Sequence, residues 1–173
     1  MNSADTWLIR QCESVAIFLG GVAQVCIFGV IVTVASNVLL RFLFDIGSVW
    51  SQELEWHFLA AVATLGLAYT YNKGEHVRVD LIYNSASPQF KAIIDLLSAG
   101  TLLTIAVLIC YYSLPYIYQS WESNEISADP GGLTMRYLLK GLILVGFTSL
   151  GLQSLAEILK NLPKAIKYNG SDD

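Results

Sequence analysis

Apolar residues in this chain run in long unbroken stretches rather than in strict alternation or in a one-sided stripe. Four stretches hold no Asp, Glu, Lys or Arg: 14–40, 56–72, 96–121 and 141–156. A bilayer core about 30 Å thick is crossed by about 20 helical residues rising about 1.5 Å each. The first and third stretches suffice directly, and the other two reach that length with their flanks. A helix buried in a soluble core would keep a polar face, and these are apolar all round. The pattern predicts an all-α integral membrane protein: one domain over 1–173, with four transmembrane helices at about 14–40, 54–72, 92–121 and 136–160. The first stretch is too long for a secretory signal core and no small-residue cleavage site follows it, so it is expected to persist as an anchor.

Basic residues in short connections stay on the cytoplasmic side, which sets orientation. The two tails and the second loop carry Arg10, Lys73, Arg78, Lys91, Lys160, Lys164 and Lys167, against Arg41, Arg136 and Lys140 on the other side. Both termini are therefore expected inside, with the loops at 42–54 and 122–134 facing outward. Ser87-Pro88 reads as a helix start, the serine capping free N–H groups and the proline suiting the first turn. From Pro88 to Trp121 a helix is about 50 Å long at about 1.5 Å per residue, so it should tilt, project or bend at Pro115. Asp129-Pro130-Gly131-Gly132 reads as a turn ahead of the last helix, and Pro163 as a stop or kink near its inner end.

Composition agrees with this class. The 173 residues are 54% hydrophobic and 14% charged, against about 25% charged in an average soluble domain. A net charge of -4 gives no basic stripe for nucleic acid. Cys12, Cys26 and Cys110 share no ligand spacing, and neither a phosphate loop nor a GxGxxG turn occurs. No cofactor, metal or catalytic residue is predicted.

The spans contain Gln24, Asn37, His57 and Gln153 but no carboxylate near the middle of any span, where proton and cation pathways usually need one. Asn37 and Gln24 read as interhelical hydrogen-bonding residues. Ala60, Thr64 and Ala68 recur every four residues and form a flat ridge for close helix packing. Lys140 lies about one turn inside the outer end of the last helix. A snorkelling stem is the plainer expectation for it, an ion pair with an outward carboxylate or another subunit the sharper one. At the outer end of the second helix Trp50, Glu53, Glu55, Trp56 and His57 set acids among aromatic anchors, with Glu53 and His57 on one face. Such acids can serve acid–base chemistry, but near a helix start they also simply favour its dipole. At the inner end His76, Arg78 and Asp80 alternate with valine, as in a short extended segment lying on a membrane or a partner.

The strings 50–57 (WSQELEWH), 65–69 (LGLAY) and 76–80 (HVRVD), followed by 136–140 (RYLLK) and Gly146-Phe147, together resemble the small permease subunit of tripartite ATP-independent periplasmic (TRAP) transporters. The resemblance covers about Leu8 to Leu162 and implies four spans with both ends inside. It implies a multi-pass protein of the bacterial inner membrane, bounded by membrane lipid. Its implied partners are a large permease subunit, which holds the ion and substrate sites, and a periplasmic solute-binding protein. The small subunit would be a scaffold in ion-coupled uptake of an organic acid or similar solute, not an enzyme. Candidate partner contacts are Asn37, Arg41, Glu53, Glu55, Ala60, Thr64, Ala68, His76, Arg78, Asp80, Arg136 and Lys140, and Glu122, Glu125 and Asp129 could orient the binding protein by charge. Two rivals remain open: a stand-alone four-helix exporter, which should carry an embedded acid, and a haem-bearing anchor, which should face paired histidines across spans.

Overall fold

A computed structural model describes residues 3–74 and 87–167, which fold into four helices. They are α1 (Ser3–Phe44), α2 (Val49–Lys73), α3 (Pro88–Glu122) and α4 (Arg136–Lys167). Three are long and apolar enough to cross a membrane, over Thr6–Phe44, Phe90–Glu122 and Arg136–Ala165. The fourth expected span, α2, is not among them, because its apolar run is short and shared with His57, two threonines and two tyrosines between Glu55 and Lys73.

Burial is inverted relative to a soluble protein. Phe18, Val25, Phe28 and Phe42 are 69–84% exposed, whereas Ser113, Ser120, Ser149, Gln153, Ser154 and Asn161 are buried. Where lipid is as apolar as a side chain, helices associate through small residues and hydrogen bonds rather than by hiding large hydrophobes. The buried alanines 16, 23, 61, 68, 99, 106 and 156 follow that rule. Three of the buried hydroxyls are satisfied locally, Ser113 donating to the Ile109 carbonyl at 2.6 Å, Ser149 to that of Gly146 at 2.7 Å and Ser154 to that of Leu150 at 2.8 Å. A chain built this way holds together in lipid while leaving its bulk apolar surface outside.

Helix α4 is the hub, packing most extensively on α3 and also on α2 and α1, while α1 and α2 form a second close pair. Ala23, Ala61 and Leu65 with Leu142 join α1, α2 and α4. Tyr71, Ala99 and Leu150 join α2, α3 and α4. At α1's start Ile9 and Cys12 meet Ala156, so α1 extends well before the expected position 14. Glycine sets one close approach: a Cβ on Gly146 would lie 2.5 Å from the Thr64 carbonyl oxygen, so α2 and α4 nearly touch backbone to backbone.

The start of α3 shows the expected cap. Ser87 accepts from the Phe90 N–H at 3.3 Å with proline in the first turn. Gly74 closes α2 at φ 72, its N–H reaching the Thr70 and Tyr71 carbonyls, a left-handed cap that glycine adopts without steric cost. Helix α3 runs through Pro115. Pro163 does not stop α4, which continues to Lys167, since a proline so near a helix end removes one hydrogen bond and leaves the rest of the last turn intact.

Candidate functional site

The two acids expected at the outer end of α2 occupy different surroundings. Glu53 is 2% exposed. Its carboxylate accepts from the Ser127 hydroxyl, from the Leu133 N–H at 2.6 Å and from Arg136 Nη2 at 3.4 Å. All three donors belong to the α3–α4 connection or the first residue of α4. That connection folds as the sequence predicts: the Gly132 N–H reaches the Asp129 carbonyl at 3.0 Å and Gly131 has φ 81, a turn with proline and glycine in their favoured central places. Gly132 is required by contact, because a Cβ there would sit 2.8 Å from Glu53 Oε2. The Ser127 N–H and the Leu133 carbonyl close the base of the loop at 3.1 Å. The loop is thus moulded onto one carboxylate of another helix.

Lys140 is paired rather than snorkelling. Its ammonium donates to Glu125 and lies 3.8 Å from the Tyr116 ring centroid. Its side chain is 13% exposed, which leaves little water to satisfy it without that carboxylate and ring. The Lys140 ammonium holds the Glu125 carboxyl below the usual carboxylate range. Trp121 and Tyr137 meet edge to face at 4.7 Å beside this pair. Arg136, Lys140 and Glu125 thereby bind the start of α4 to the end of α3, so Glu125 faces its own chain, while Asp129 is exposed.

Glu55 turns the other way. Asn37 donates to it from α1 at 2.5 Å, the interhelical role expected of that asparagine. The pair lines a cavity of about 260 Å³ between the end of α1 and the start of α2, together with Val34, Val38, Arg41, Ser48, Gln52 and Trp56. His57 does not meet the Glu53 carboxylate; its Nδ1 lies 2.7 Å from the Glu53 backbone oxygen. No acid–base pair is formed there. Gln24 sits on an exposed face.

The Ala60/Thr64/Ala68 ridge serves the chain's own packing: Thr64 meets Gly146 of α4, and Ala68 is fully buried. His76, Arg78 and Asp80 lie outside the described residues. At the opposite end Lys160 of α4 pairs with Glu13 of α1 at 2.6 Å and with Glu157 at 2.7 Å, a cross-helix tie that sequence reading missed. Ser127 and Leu133 were also missed, and Gly132 is read from sequence only as part of the turn. Among the described residues no group of three or more His, Cys, Asp or Glu is gathered to hold a metal ion.

These features fix one helix end against another and offer no reacting pair of groups. One family model, described as the DctQ component of tripartite ATP-independent periplasmic transporters, matches residues 30–164, most of the chain. No curated protein matches it.

Proposed function

Since the chain belongs to the DctQ component family of tripartite ATP-independent periplasmic transporters, the small permease subunits, we propose that it acts there as a static brace. In this reading a larger permease subunit moves the solute, and this chain widens the stationary frame against which the movement occurs. The family is one of transporter components rather than of enzymes, and the apolar helices make the chain a multi-pass membrane protein.

The observation that carries the brace reading is the distribution of charge. Charged groups toward the helix ends and in the α3–α4 connection are paired, Glu53 with Arg136, Glu125 with Lys140 and Glu13 with Lys160. The apolar stretches between those ends carry no ionisable carboxylate that could shuttle a proton or cation. A frame needs fixed ends and an apolar flank, and both are present. Exposed large side chains along α1 and α3, among them Phe18, Phe28, Tyr111 and Tyr112, supply a flank for a larger subunit.

Within this proposal α2 crosses the bilayer beside the other three, and both termini face the cytoplasm of a bacterial inner membrane. A periplasmic binding protein delivers an organic acid or similar solute, and an ion gradient drives uptake. Affinity purification of the full chain from native membranes tests the assignment. A large multi-span permease should co-purify in fixed ratio; recovery of the chain alone, from cells that express such a permease, contradicts it.

A further inference from the structure

The groove between the end of α1 and the start of α2 has the chemistry of a lipid headgroup site. Arg41 stands in the last turn of α1, where α1 leaves its apolar run. Across the cavity, Glu55 is held in place by Asn37. Ser48 and Gln52 add neutral polar groups to the lining, and Val34 and Val38 continue the wall along α1 toward its apolar middle. Trp56, 62% exposed, lines the cavity, and Trp50 near the start of α2 and Phe42 and Phe44 at the end of α1 are 51%, 84% and 65% exposed. Exposed tryptophans at the end of an apolar helix mark the boundary between hydrocarbon and headgroups.

We propose that this cavity binds a phospholipid whose headgroup carries both a phosphate and an ammonium group. The phosphate faces Arg41, whose guanidinium suits paired phosphate oxygens. The ammonium faces Glu55, and an acyl chain follows Val34 and Val38. A site with one charge of each sign matches a zwitterion better than an anionic lipid, because an ammonium gains a charge partner in Glu55, which an uncharged glycerol headgroup does not. Two features favour a lipid over a free zwitterion: the apolar wall of Val34 and Val38 continues from the charges into the span, and the exposed Trp56 lines the cavity itself. The inference needs α1 to span the bilayer and does not depend on the brace reading.

The test is native mass spectrometry of the full chain in detergent, with phosphatidylethanolamine, phosphatidylglycerol or free phosphoethanolamine added. Phosphatidylethanolamine should be retained in preference to phosphatidylglycerol. Arg41→Gln should lower retention of both lipids by about tenfold or more, the scale of one charge-assisted hydrogen bond. Glu55→Gln keeps an acceptor for Asn37 and should abolish the preference between the two lipids. Ser48 makes no side-chain cap hydrogen bond, so Ser48→Phe should fill the cavity and expel lipid while helix content and thermal midpoint stay unchanged. Equal retention of both lipids by every variant overturns the proposal. So does displacement of lipid by equimolar free phosphoethanolamine, which would make the site one for a soluble zwitterion. A photo-crosslinking residue at position 52 should label lipid in the assembled transporter; labelling of the larger subunit instead also overturns it.

Discussion

Glu53 and Glu55 stand two residues apart near the start of one helix, and the chain treats them in opposite ways. Glu53 is enclosed by a loop and the helix after it, with a hydroxyl, an amide and a guanidinium as donors. Glu55 takes one side-chain donor, Asn37, and looks into an open groove. In a helix, residues two apart point to well-separated faces, so α2 can send one acid toward α4 and the other toward α1. The difference teaches that charge at a membrane boundary serves two ends: the enclosed acid fastens helices together, and the open one is left for something outside the chain.

Removing the enclosed acid is the strongest way to break that contrast. Glu53→Ala should give the largest loss of thermal midpoint and of complex yield in this series, because Ser127, the Leu133 N–H and Arg136 lose their shared acceptor together. Hydrogen exchange at Leu133 should quicken at the same time; an unchanged exchange rate would remove the fastening role. Next come the glycines. Gly146→Ala places a Cβ against the Thr64 backbone, which cannot move aside, and Gly132→Ala places one against the Glu53 carboxylate. Each should cost about 1–3 kcal/mol of overpacking strain, read from unfolding in detergent.

A smaller effect is expected where Lys140 meets Glu125. The folded carboxyl is depressed, so its contribution is fully present above the ordinary carboxylate range and disappears as pH falls through the lowered value. Lys140→Met should lower stability at neutral pH and flatten this acid dependence, measured as thermal midpoint against pH. A variant that keeps the wild-type slope would show that another group carries it. Smallest of all, Glu55→Gln should change the midpoint by no more than about 0.5 kcal/mol equivalent, as at a surface position. If Glu55→Gln destabilised the chain as much as Glu53→Ala, the contrast between the two acids would not stand.

Helix positions were legible because charge-free runs and caps such as Ser87-Pro88 are local signals. The turn at 129–132 was legible for the same reason. The partners of Glu53 were not: Leu133 stands 80 residues away in sequence, and a helical-face argument naturally paired the acid with His57, four residues on. For Lys140 the sequence leaves snorkelling and an ion pair with an outward carboxylate both open, and the pair with Glu125 is what forms; nothing in its own helix signals that Glu125 and Tyr116 converge on it. Pro163 reads as a stop or a kink, and the stop does not occur, because propensity describes the middle of a helix better than its last turns. The ridge on α2 reads from its four-residue spacing as a surface for close packing, but that Thr64 meets Gly146 of α4 is not contained in periodicity on α2.

The brace account is tested most directly by solute flux in sealed proteoliposomes, with this chain alone, with the larger permease subunit alone and with both, each under an imposed ion gradient and with the solute-binding protein present. The account predicts uptake from the pair and none from this chain by itself. Gradient-driven uptake by this chain alone would contradict it.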